Sequence, residues 1–258
     1  MYDFKIKDLK ALKNKILDFL FPKECLGCGK EGEWICADCR ERIGIVYEQA
    51  CFTCGKPEAL GRYCASCHNP EALDSVVVLG KYEGSLLSEA IRAMKYGFTK
   101  SIASDLASLL SKFIQRLYCR NCKYSSIKRW SKDAAGKARP PVAFDLIVPV
   151  PLSKSRLKWR GFNQSEVIAV ELGHILEVPV RSDILKRVRY KVPQVNLSMQ
   201  ERLENVAGAF DAVGGIENSR VLLIDDVATT GATLNECAKA LKKAGVLRVH
   251  ALVLARGR

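Results

Sequence analysis

The sequence predicts an α/β protein with a doubly wound parallel sheet, preceded by a small cysteine-rich module. Over residues 71–258, runs of branched apolar residues alternate with stretches of helical periodicity, which is the order of elements found in parallel sheets. One run, 221–224, has four such residues in succession, as expected of a strand that is buried on both faces. Before residue 70, eight of the 11 cysteines form four C-x-x-C pairs. In a chain without a signal-peptide pattern, these pairs favour metal binding over disulfides.

The formal net charge of +13 is unevenly distributed along the chain. Residues 1–70 contain 11 Lys and Arg against 10 Asp and Glu, whereas residues 71–258 contain 30 against 18. The basic field of the C-terminal part predicts a partner that carries phosphate, either a small pyrophosphate compound or a nucleic acid. The longest apolar runs are too short to span a bilayer, and the N-terminus lacks a signal-peptide pattern. We therefore expect no transmembrane segment and a cytoplasmic location.

Residues 1–22 predict a separate N-terminal helix, which ends at Pro22. Its apolar residues share one helical face and are surrounded by lysines; they are Leu9, Leu12, Ile16 and Phe19 or Leu20. A basic amphipathic helix of this kind can bind a membrane surface. The interpretation that we favour is that the stripe docks on the rest of the protein.

Residues 23–70 contain an internal repeat, and each copy has two C-x-x-C pairs with Gly and Lys after the first pair. The interval between the pairs suffices for a short hairpin, so we expect two tetrahedral zinc sites filled in sequence order. The ligands of the first site would be Cys25, Cys28, Cys36 and Cys39, and those of the second Cys51, Cys54, Cys64 and Cys67. Four thiolates leave no open coordination position, which indicates structural zinc. Cross-brace pairing is the alternative, and His68 could replace a thiolate, although a surface position suits it better.

Two adjacent carboxylates, Asp225 and Asp226, end the strand at 221–224, and a small loop then leads into a helix that ends near Ala244. Ligands of parallel sheets bind beyond the carboxyl ends of the strands, and free N–H groups at a helix N-terminus bind anions. The acids can accept hydrogen bonds from ribose hydroxyls and attract Mg²⁺. The loop offers a permissive glycine and hydroxyl donors; its residues are Ala228, Thr229, Thr230, Gly231, Ala232 and Thr233. These features predict a sugar-phosphate site, with an ordinary capped βα turn as the alternative.

A second anion site is predicted where the strand at 144–150 enters a proline-rich loop that carries four cations. The loop begins with Val150 and Pro151 and leads into a helix over 165–177. Within it, Arg156 and Arg160 suit the bidentate binding of pyrophosphate. A solvated basic face is the alternative.

The remaining segments complete the alternation of strands and helices. They are a strand at 75–82, helices at 86–96 and 102–117, a strand at 184–188, a helical stretch at 200–206 and a final strand at 246–255. Arg187, Arg189 and Lys191 predict a mobile basic arm after the strand at 184–188. The insert 119–142 mixes cations with aromatic residues, which suits a nucleic-acid single strand or a solvated loop.

From about residue 20 onward, the chain resembles the ComF family, in which a double zinc ribbon is fused to a phosphoribosyltransferase domain. The motifs that carry the resemblance are the four C-x-x-C pairs, 148–152 (VPVPL), Arg156, 160–164 (RGFNQ), 185–189 with Gln194, Arg202 with 205–206 and 209–210, and the acid pair with its loop. The resemblance implies a double zinc ribbon over 23–70 and a type I phosphoribosyltransferase fold over 71–258. It also implies a role in DNA uptake during natural competence, alongside a helicase-like partner.

The loop over 228–233 is similar to the loop that binds 5-phosphoribosyl-1-pyrophosphate (PRPP) in type I phosphoribosyltransferases. The similarity implies that the loop holds the 5-phosphate, while Asp225 and Asp226 bind the ribose hydroxyls and the Mg²⁺ that accompanies PRPP. The loop from Val150 and Pro151 would hold the pyrophosphate. Arg156 and Arg160 would be the catalytic cations that neutralise the departing pyrophosphate. Lys95 is a further candidate, and Arg187, Arg189 or Lys191 would close over the site.

Two departures from related patterns bear on specificity. Lys191 stands where the family often has Thr. Thr229 occupies the position at which 6-oxopurine phosphoribosyltransferases carry an acid/base carboxylate, so specificity for hypoxanthine or guanine is disfavoured. The acceptor and the oligomeric state stay open. The alternative to an enzyme is a non-catalytic module that binds single-stranded DNA or senses PRPP with the same pocket.

Overall fold

The computed structural model describes residues 22–121, 144–188 and 206–257, together with the backbone of Ser131–Lys132 and Ala138–Arg139. Several predicted features lie outside the described residues: the helix over 3–21, most of the basic insert, Arg189, Lys191 and residues 200–205. In the part of the chain that is described, no helix combines the length and the apolar character that a bilayer span requires.

The chain divides into two compact units, Met1–Ile43 and Gly44–Arg258. The first cysteine repeat belongs to the first unit, and the second repeat belongs to the unit that contains the parallel sheet. In the first unit, a turn around Cys25 precedes a short helix, α1, Ala37–Glu41. The N–H of Gly29 donates to the Cys25 carbonyl at 2.7 Å. Gly29 has a φ of 75°, which glycine adopts without strain, so the chain can turn sharply after Cys28.

The second unit contains the remaining elements. In chain order they are a 3-10 turn Ala59–Gly61, β1 Ser75–Lys81, α2 Leu86–Tyr96, α3 Ile102–Asn121, β2 Ser131–Lys132, β3 Ala138–Arg139, β4 Leu146–Pro149, α4 Lys154–Arg160, α5 Gln164–Leu176, β5 Leu185–Arg187, β6 Phe210–Ala212, β7 Arg220–Ala228, α6 Ala232–Lys243 and β8 Arg248–Arg256. Strands β1, β8, β7 and β4 form a sheet in that order, and each neighbouring pair is parallel. The predicted α/β class with a parallel sheet is therefore confirmed.

Both faces of the sheet are buried. On one face, Val221 and Leu223 of β7 pack in a core with Leu234 and Leu241 of α6. The intervening strand residues, among them Leu222, are buried as well; helix α5 packs on β4 and β7. Because successive strand residues point to opposite faces, the uninterrupted apolar run in the sequence corresponds to a central strand with covers on both sides.

Strand β7 continues through the acid pair, whereas the sequence predicted that it ends there. Asp225 is in register with Val253 and Val227 with Ala255 of β8. Aspartate is a poor strand former, but here pairing with a long buried neighbour overrides local propensity. The two carboxylates consequently lie on opposite faces of the strand end, since they are adjacent in sequence.

Two further differences concern short elements. The predicted strand at 184–188 forms β5 but lies outside the main sheet, because it pairs antiparallel with β6, an unpredicted strand. The cationic segment contains the short helix α4, where the sequence predicted a loop. Its signals were present: the Ser153 hydroxyl accepts a hydrogen bond from the N–H of Arg156 at 3.3 Å, and Gly161 ends the helix with a φ of 76°.

Candidate functional site

The cysteines form two separate clusters, one in each compact unit. Within each cluster the four sulfur atoms all lie within 4.8 Å of one another, and the members are Cys25, Cys28, Cys36 and Cys39, then Cys51, Cys54, Cys64 and Cys67. A tetrahedral zinc ion with bonds of about 2.3 Å to sulfur requires sulfurs about 3.8 Å apart. The Sγ atoms of Cys28 and Cys36 are 3.6 Å apart, as are those of Cys54 and Cys64. The residues fit two closed structural zinc sites, grouped in sequence order and not as a cross-brace; His68 belongs to neither cluster.

Backbone groups favour thiolate in both clusters. Burial opposes ionisation of Cys25, but N–H groups, that of Cys36 first among them, lower the pKa of the Cys25 thiol to about 6. Burial likewise opposes ionisation of Cys51, and the N–H groups of Cys54 and Cys64 lower the pKa of the Cys51 thiol to about 6. Thiolate is the form that binds zinc, so each cluster has one cysteine that is prepared for the metal.

The acid pair lies at the carboxyl end of β7 and its two members have different partners. The Oδ1 of Asp225 accepts hydrogen bonds from the Ser165 hydroxyl and from the N–H of Asp226, both at 2.9 Å. The Oδ1 of Asp226 forms an ion pair with the Nζ of Lys95 at 2.8 Å. Burial and the neighbouring Asp226 carboxylate together raise the pKa of Asp225 to about 7, although Ser165 and Lys95 oppose the shift.

The two neighbouring carboxylates therefore repel each other when both are ionised. Lys95, predicted as a candidate catalytic cation, neutralises Asp226 from helix α2. Ser165, at the start of α5, holds Asp225 in place and was not singled out from the sequence. A divalent cation near the acids would lower the pKa of Asp225 and relieve the repulsion between the carboxylates. These residues therefore fit a Mg²⁺ ion brought by a substrate.

The loop over 228–233 forms one pocket together with cations from two other segments. The pocket has a volume of about 220 Å³, and Asp225, Arg156 and Arg187 line it with the loop. Gly231 begins helix α6 with a φ of 76°, a conformation that favours glycine. The Thr230 hydroxyl accepts a hydrogen bond from the N–H of Ala232 at 3.3 Å. The structure brings together all six loop residues, one acid and two of the predicted cations.

The segment that begins with Val150 and Pro151 is tied to the strand next to the acid pair. The N–H of Val150 donates to the Ile224 carbonyl at 3.0 Å, and the Asn163 amide donates to the Val150 carbonyl at 2.9 Å. This arrangement fixes the start of the cationic segment beside the end of β7. Arg156, on α4, reaches the loop pocket from there.

Arg160 and Gln164 are buried polar residues at the junction between α4 and α5. Arg160 is 8% exposed and Gln164 is fully buried; within the described part of the chain, the Arg160 Nε and both amide atoms of Gln164 lack a hydrogen-bond partner. Burial lowers the pKa of Arg160, and the Asp226 carboxylate opposes that shift. Buried polar groups are nearly always paired with protein, water or ligand. Arg160 thus lies in the electrostatic field of the acid pair, as a cation that acts on a ligand there would.

Comparison with known proteins identifies two domains in the chain. A double zinc ribbon domain matches residues 16–68, and a phosphoribosyl transferase domain matches residues 163–258. Competence protein F of Haemophilus influenzae is 33% identical over 228 residues, which cover 86% of this chain and 90% of that protein. The chain belongs to the ComF family. The resemblance predicted from the motifs is confirmed.

Two further relatives cover most of the chain, and the name of one of them refers to DNA. The DNA utilization protein YhgH of Escherichia coli K12 is 30% identical, with 87% of this chain and 92% of that protein covered. Competence protein ComFC of Bacillus subtilis is 24% identical, with 84% and 81% covered. Among solved structures, the glutamine PRPP amidotransferase from B. subtilis matches with a TM-score of 0.36 and 20% identity, over 60% of this chain and only 26% of that chain.

Proposed function

We propose that this ComF protein binds Mg²⁺-PRPP at the 228–233 loop and transfers its phosphoribosyl group in a pathway of DNA utilisation. The observation that carries the proposal is the convergence of Asp225, the helix N-terminus and cations from two other segments on one pocket. The match to a phosphoribosyl transferase domain over 163–258 supports it. So do the names of the relatives in E. coli and H. influenzae.

The pocket suits the two ends of PRPP in different ways. The 5-phosphate would accept hydrogen bonds from the N–H groups and threonine hydroxyls of the loop. Asp225 would bind a ribose hydroxyl and, together with Asp226, the Mg²⁺ that supplies charge neutralisation. The pyrophosphate would lie toward Arg156 and the segment that starts at Val150.

Transfer requires little covalent chemistry from the protein. The bond between C1 of the ribose and the pyrophosphate oxygen breaks while an electron pair of the acceptor forms a new bond to C1, and the electron pair of the broken bond leaves with pyrophosphate. Fixed cations stabilise the charge that develops on the leaving group. Arg156 is exposed and lines the pocket, so it can contact the pyrophosphate directly, whereas Arg160 is buried near Asp226. Arg187 lines the pocket from strand β5.

Calorimetry of the zinc-loaded protein with Mg²⁺-PRPP tests the proposal. Binding should saturate at one PRPP per chain and should require Mg²⁺. The double variant Asp225→Asn, Asp226→Asn should abolish binding. Asp183→Asn is the control: it removes the carboxylate of a side chain that is 63% exposed, and PRPP binding should be unchanged. No heat of binding at millimolar PRPP would overturn the proposal.

One surface favours a second candidate function, the binding of single-stranded nucleic acid. Tyr96, Phe98 and Trp159 are 62%, 47% and 57% exposed, and the Trp159 ring centroid lies 6.1 Å from that of Tyr96 and 5.4 Å from that of Phe98. Two exposed lysines, 154 and 158, lie on the same helix, α4, as Trp159. Aromatic rings next to cations suit stacked bases and a phosphate backbone.

Anisotropy of a labelled oligonucleotide distinguishes the two candidates. If single-strand binding is the function, Trp159→Ala weakens it, the affinity falls steeply with salt, and the double aspartate variant binds as well as the wild type. Binding of PRPP that is lost in the double aspartate variant supports the transferase instead.

A further inference from the structure

A second cleft opens beside the 228–233 loop. Its volume is about 700 Å³, and Thr229 and Thr230 line it as well as the smaller pocket. Its other walls come from the carboxyl ends of β1 and β8 and from the second cysteine repeat, through Lys81, Arg256 and Phe52 among others. A ligand in this cleft would therefore lie next to a phosphoribosyl group held by the loop.

Two cations stand side by side in the cleft. Lys81 and Arg256 are register partners on the parallel strands β1 and β8, which are about 4.8 Å apart in a sheet, so their side chains leave the same face. Both residues are exposed. The ion pairs found among the described residues include neither of them, and Glu83 is the third charged residue of the cleft wall. Like charges directly opposite each other destabilise a sheet, and an anion between them would remove that repulsion.

The guanidinium of Arg256 is held in a fixed plane. Its central carbon lies 4.2 Å from the ring centroid of Phe52, and its Nη2 donates to the Phe52 carbonyl at 2.9 Å. Phe52 itself is 3% exposed and belongs to the core. One face of the guanidinium is therefore covered by the ring, and the opposite face is available to stack on a flat aromatic ligand. Tyr82 adds a second aromatic ring to the wall of the cleft.

We propose that this cleft binds the acceptor of the transfer, a planar heteroaromatic compound that carries an anionic group. The ring stacks on Arg256, and the anionic group binds Lys81 and the Arg256 edge. The proposal rests on the proposed function, because a compound bound in the cleft can act as an acceptor only if PRPP binds in the neighbouring pocket. A ring nitrogen forms a bond to C1 of the ribose as the bond from C1 to the pyrophosphate oxygen breaks. The electron pair leaves with pyrophosphate, and the proton of the ring nitrogen, where one is present, passes to water.

Two matched pairs of probes test the cleft by calorimetry without PRPP. Orotate and uracil differ by one carboxylate, and AMP and adenosine differ by one phosphate. The proposal requires that in at least one pair the anionic probe binds at least tenfold more tightly than the neutral one. The pair that shows this preference identifies the kind of anionic group.

Variants assign the binding to the cleft. Arg256→Ala should lower the affinity for the preferred probe about tenfold, which corresponds to about 1.4 kcal/mol of binding free energy. Lys81→Gln should also lower the affinity for this probe. Because this variant keeps the contacts between Arg256 and Phe52, it tests the cleft even if Arg256→Ala fails to fold. Arg181→Ala changes an exposed arginine that pairs with Asp183, and it should have no effect.

Parallel titrations with Mg²⁺-PRPP separate the two proposals. The Lys81→Gln variant should bind PRPP as the wild type does. If PRPP binds but neither anionic probe is preferred, or if the variants bind the preferred probe normally, the cleft proposal is wrong and the proposed function stands. If PRPP fails to bind, yet Arg256→Ala and Lys81→Gln weaken an anionic probe, the cleft binds such compounds and the transferase proposal is wrong.

Discussion

The ring of Phe52 packs directly against Gly231. Its Cε1 and Cδ1 atoms lie 3.0 and 3.2 Å from the position that a Cβ atom on Gly231 would occupy. Phe52 stands between Cys51 and Cys54 of the second cysteine cluster, and Gly231 lies in the 228–233 loop, directly before helix α6. The second zinc site and the loop therefore share one wall, although they are far apart in the sequence.

A side chain at Gly231 should disrupt the loop. Gly231→Ala places a Cβ in a left-handed backbone conformation and against the Phe52 ring, so we expect PRPP affinity to fall at least tenfold and stability to fall by about 2 kcal/mol. Calorimetry and urea unfolding measure the two effects. Gly84→Ala is the control, because Gly84 has a φ of 63° but nothing within 4 Å of the added Cβ. Comparable losses of PRPP affinity in both variants would contradict the packing argument.

Loss of the second zinc site should weaken PRPP binding, whereas loss of the first should not. Cys54→Ser removes an exposed ligand of the cluster that holds Phe52, and Cys28→Ser removes the exposed ligand at the same position of the first cluster. Zinc content measured by mass spectrometry should fall by one equivalent in each variant. PRPP affinity should fall only in Cys54→Ser, because that cluster belongs to the compact unit Gly44–Arg258. Equal losses in both variants would show that the contact between Phe52 and Gly231 does not couple the two sites.

The raised pKa of Asp225 predicts a cost to stability at neutral pH. Because the pKa lies near 7 in the folded protein and near 3.8 in the unfolded chain, the folded state binds more protons between these values. Stability is therefore lost as the pH rises from about 4 and levels off above about 7. Asp225→Asn removes this cost, so its advantage in urea unfolding should grow by about 2 kcal/mol between pH 5 and pH 8.

The same variant should fail to bind PRPP, which makes Asp225 a residue kept for function at the expense of stability. In the wild type, Mg²⁺-PRPP binding favours the ionised carboxylate, so the affinity should rise between pH 6 and pH 8. If the difference in unfolding free energy between Asp225→Asn and the wild type stays the same from pH 5 to pH 8, the raised pKa does not belong to Asp225.

Removal of Lys95 should be costly because it leaves Asp226 buried without its partner. The side chains of Lys95 and Asp226 are only 18% and 10% exposed, and breaking such a pair costs about 3 kcal/mol. Lys239→Ala breaks a pair in which the lysine side chain is 51% exposed, and it should cost less than about 1 kcal/mol. Urea unfolding of both variants gives the comparison. Similar costs would mean that Lys95 does not neutralise Asp226 in solution.

The features that were predicted correctly depend on residues that are close together in the sequence. The grouping of the cysteines follows from their spacing, and helix α2 has the predicted bounds because Ser85 caps it and its apolar residues recur at helical spacing. Helix α6 follows the loop as predicted. Each of these signals lies within a dozen or so residues.

The features that were missed depend on residues distant in the chain. Nothing near Phe52 indicates that its ring contacts Gly231, and nothing near Arg256 indicates that it is paired with Lys81. The extension of β7 through Asp225 results from pairing with β8, and β5 leaves the main sheet because β6 pairs with it. The roles assigned to Arg156, Arg160 and Arg187 remain predictions, as do those of Arg189 and Lys191 outside the described residues.

The division of the chain after Ile43 gives the two cysteine repeats unequal freedom to change. The second repeat contributes Phe52 to the apolar core next to the loop. A residue that replaces Phe52 must therefore fit this core. The first repeat has Leu26 at the equivalent position and belongs to the other compact unit. A gene fragment meant to express the unit with the parallel sheet would have to start no later than Gly44, because a start at residue 71 would remove Phe52, which packs against Gly231 of the loop.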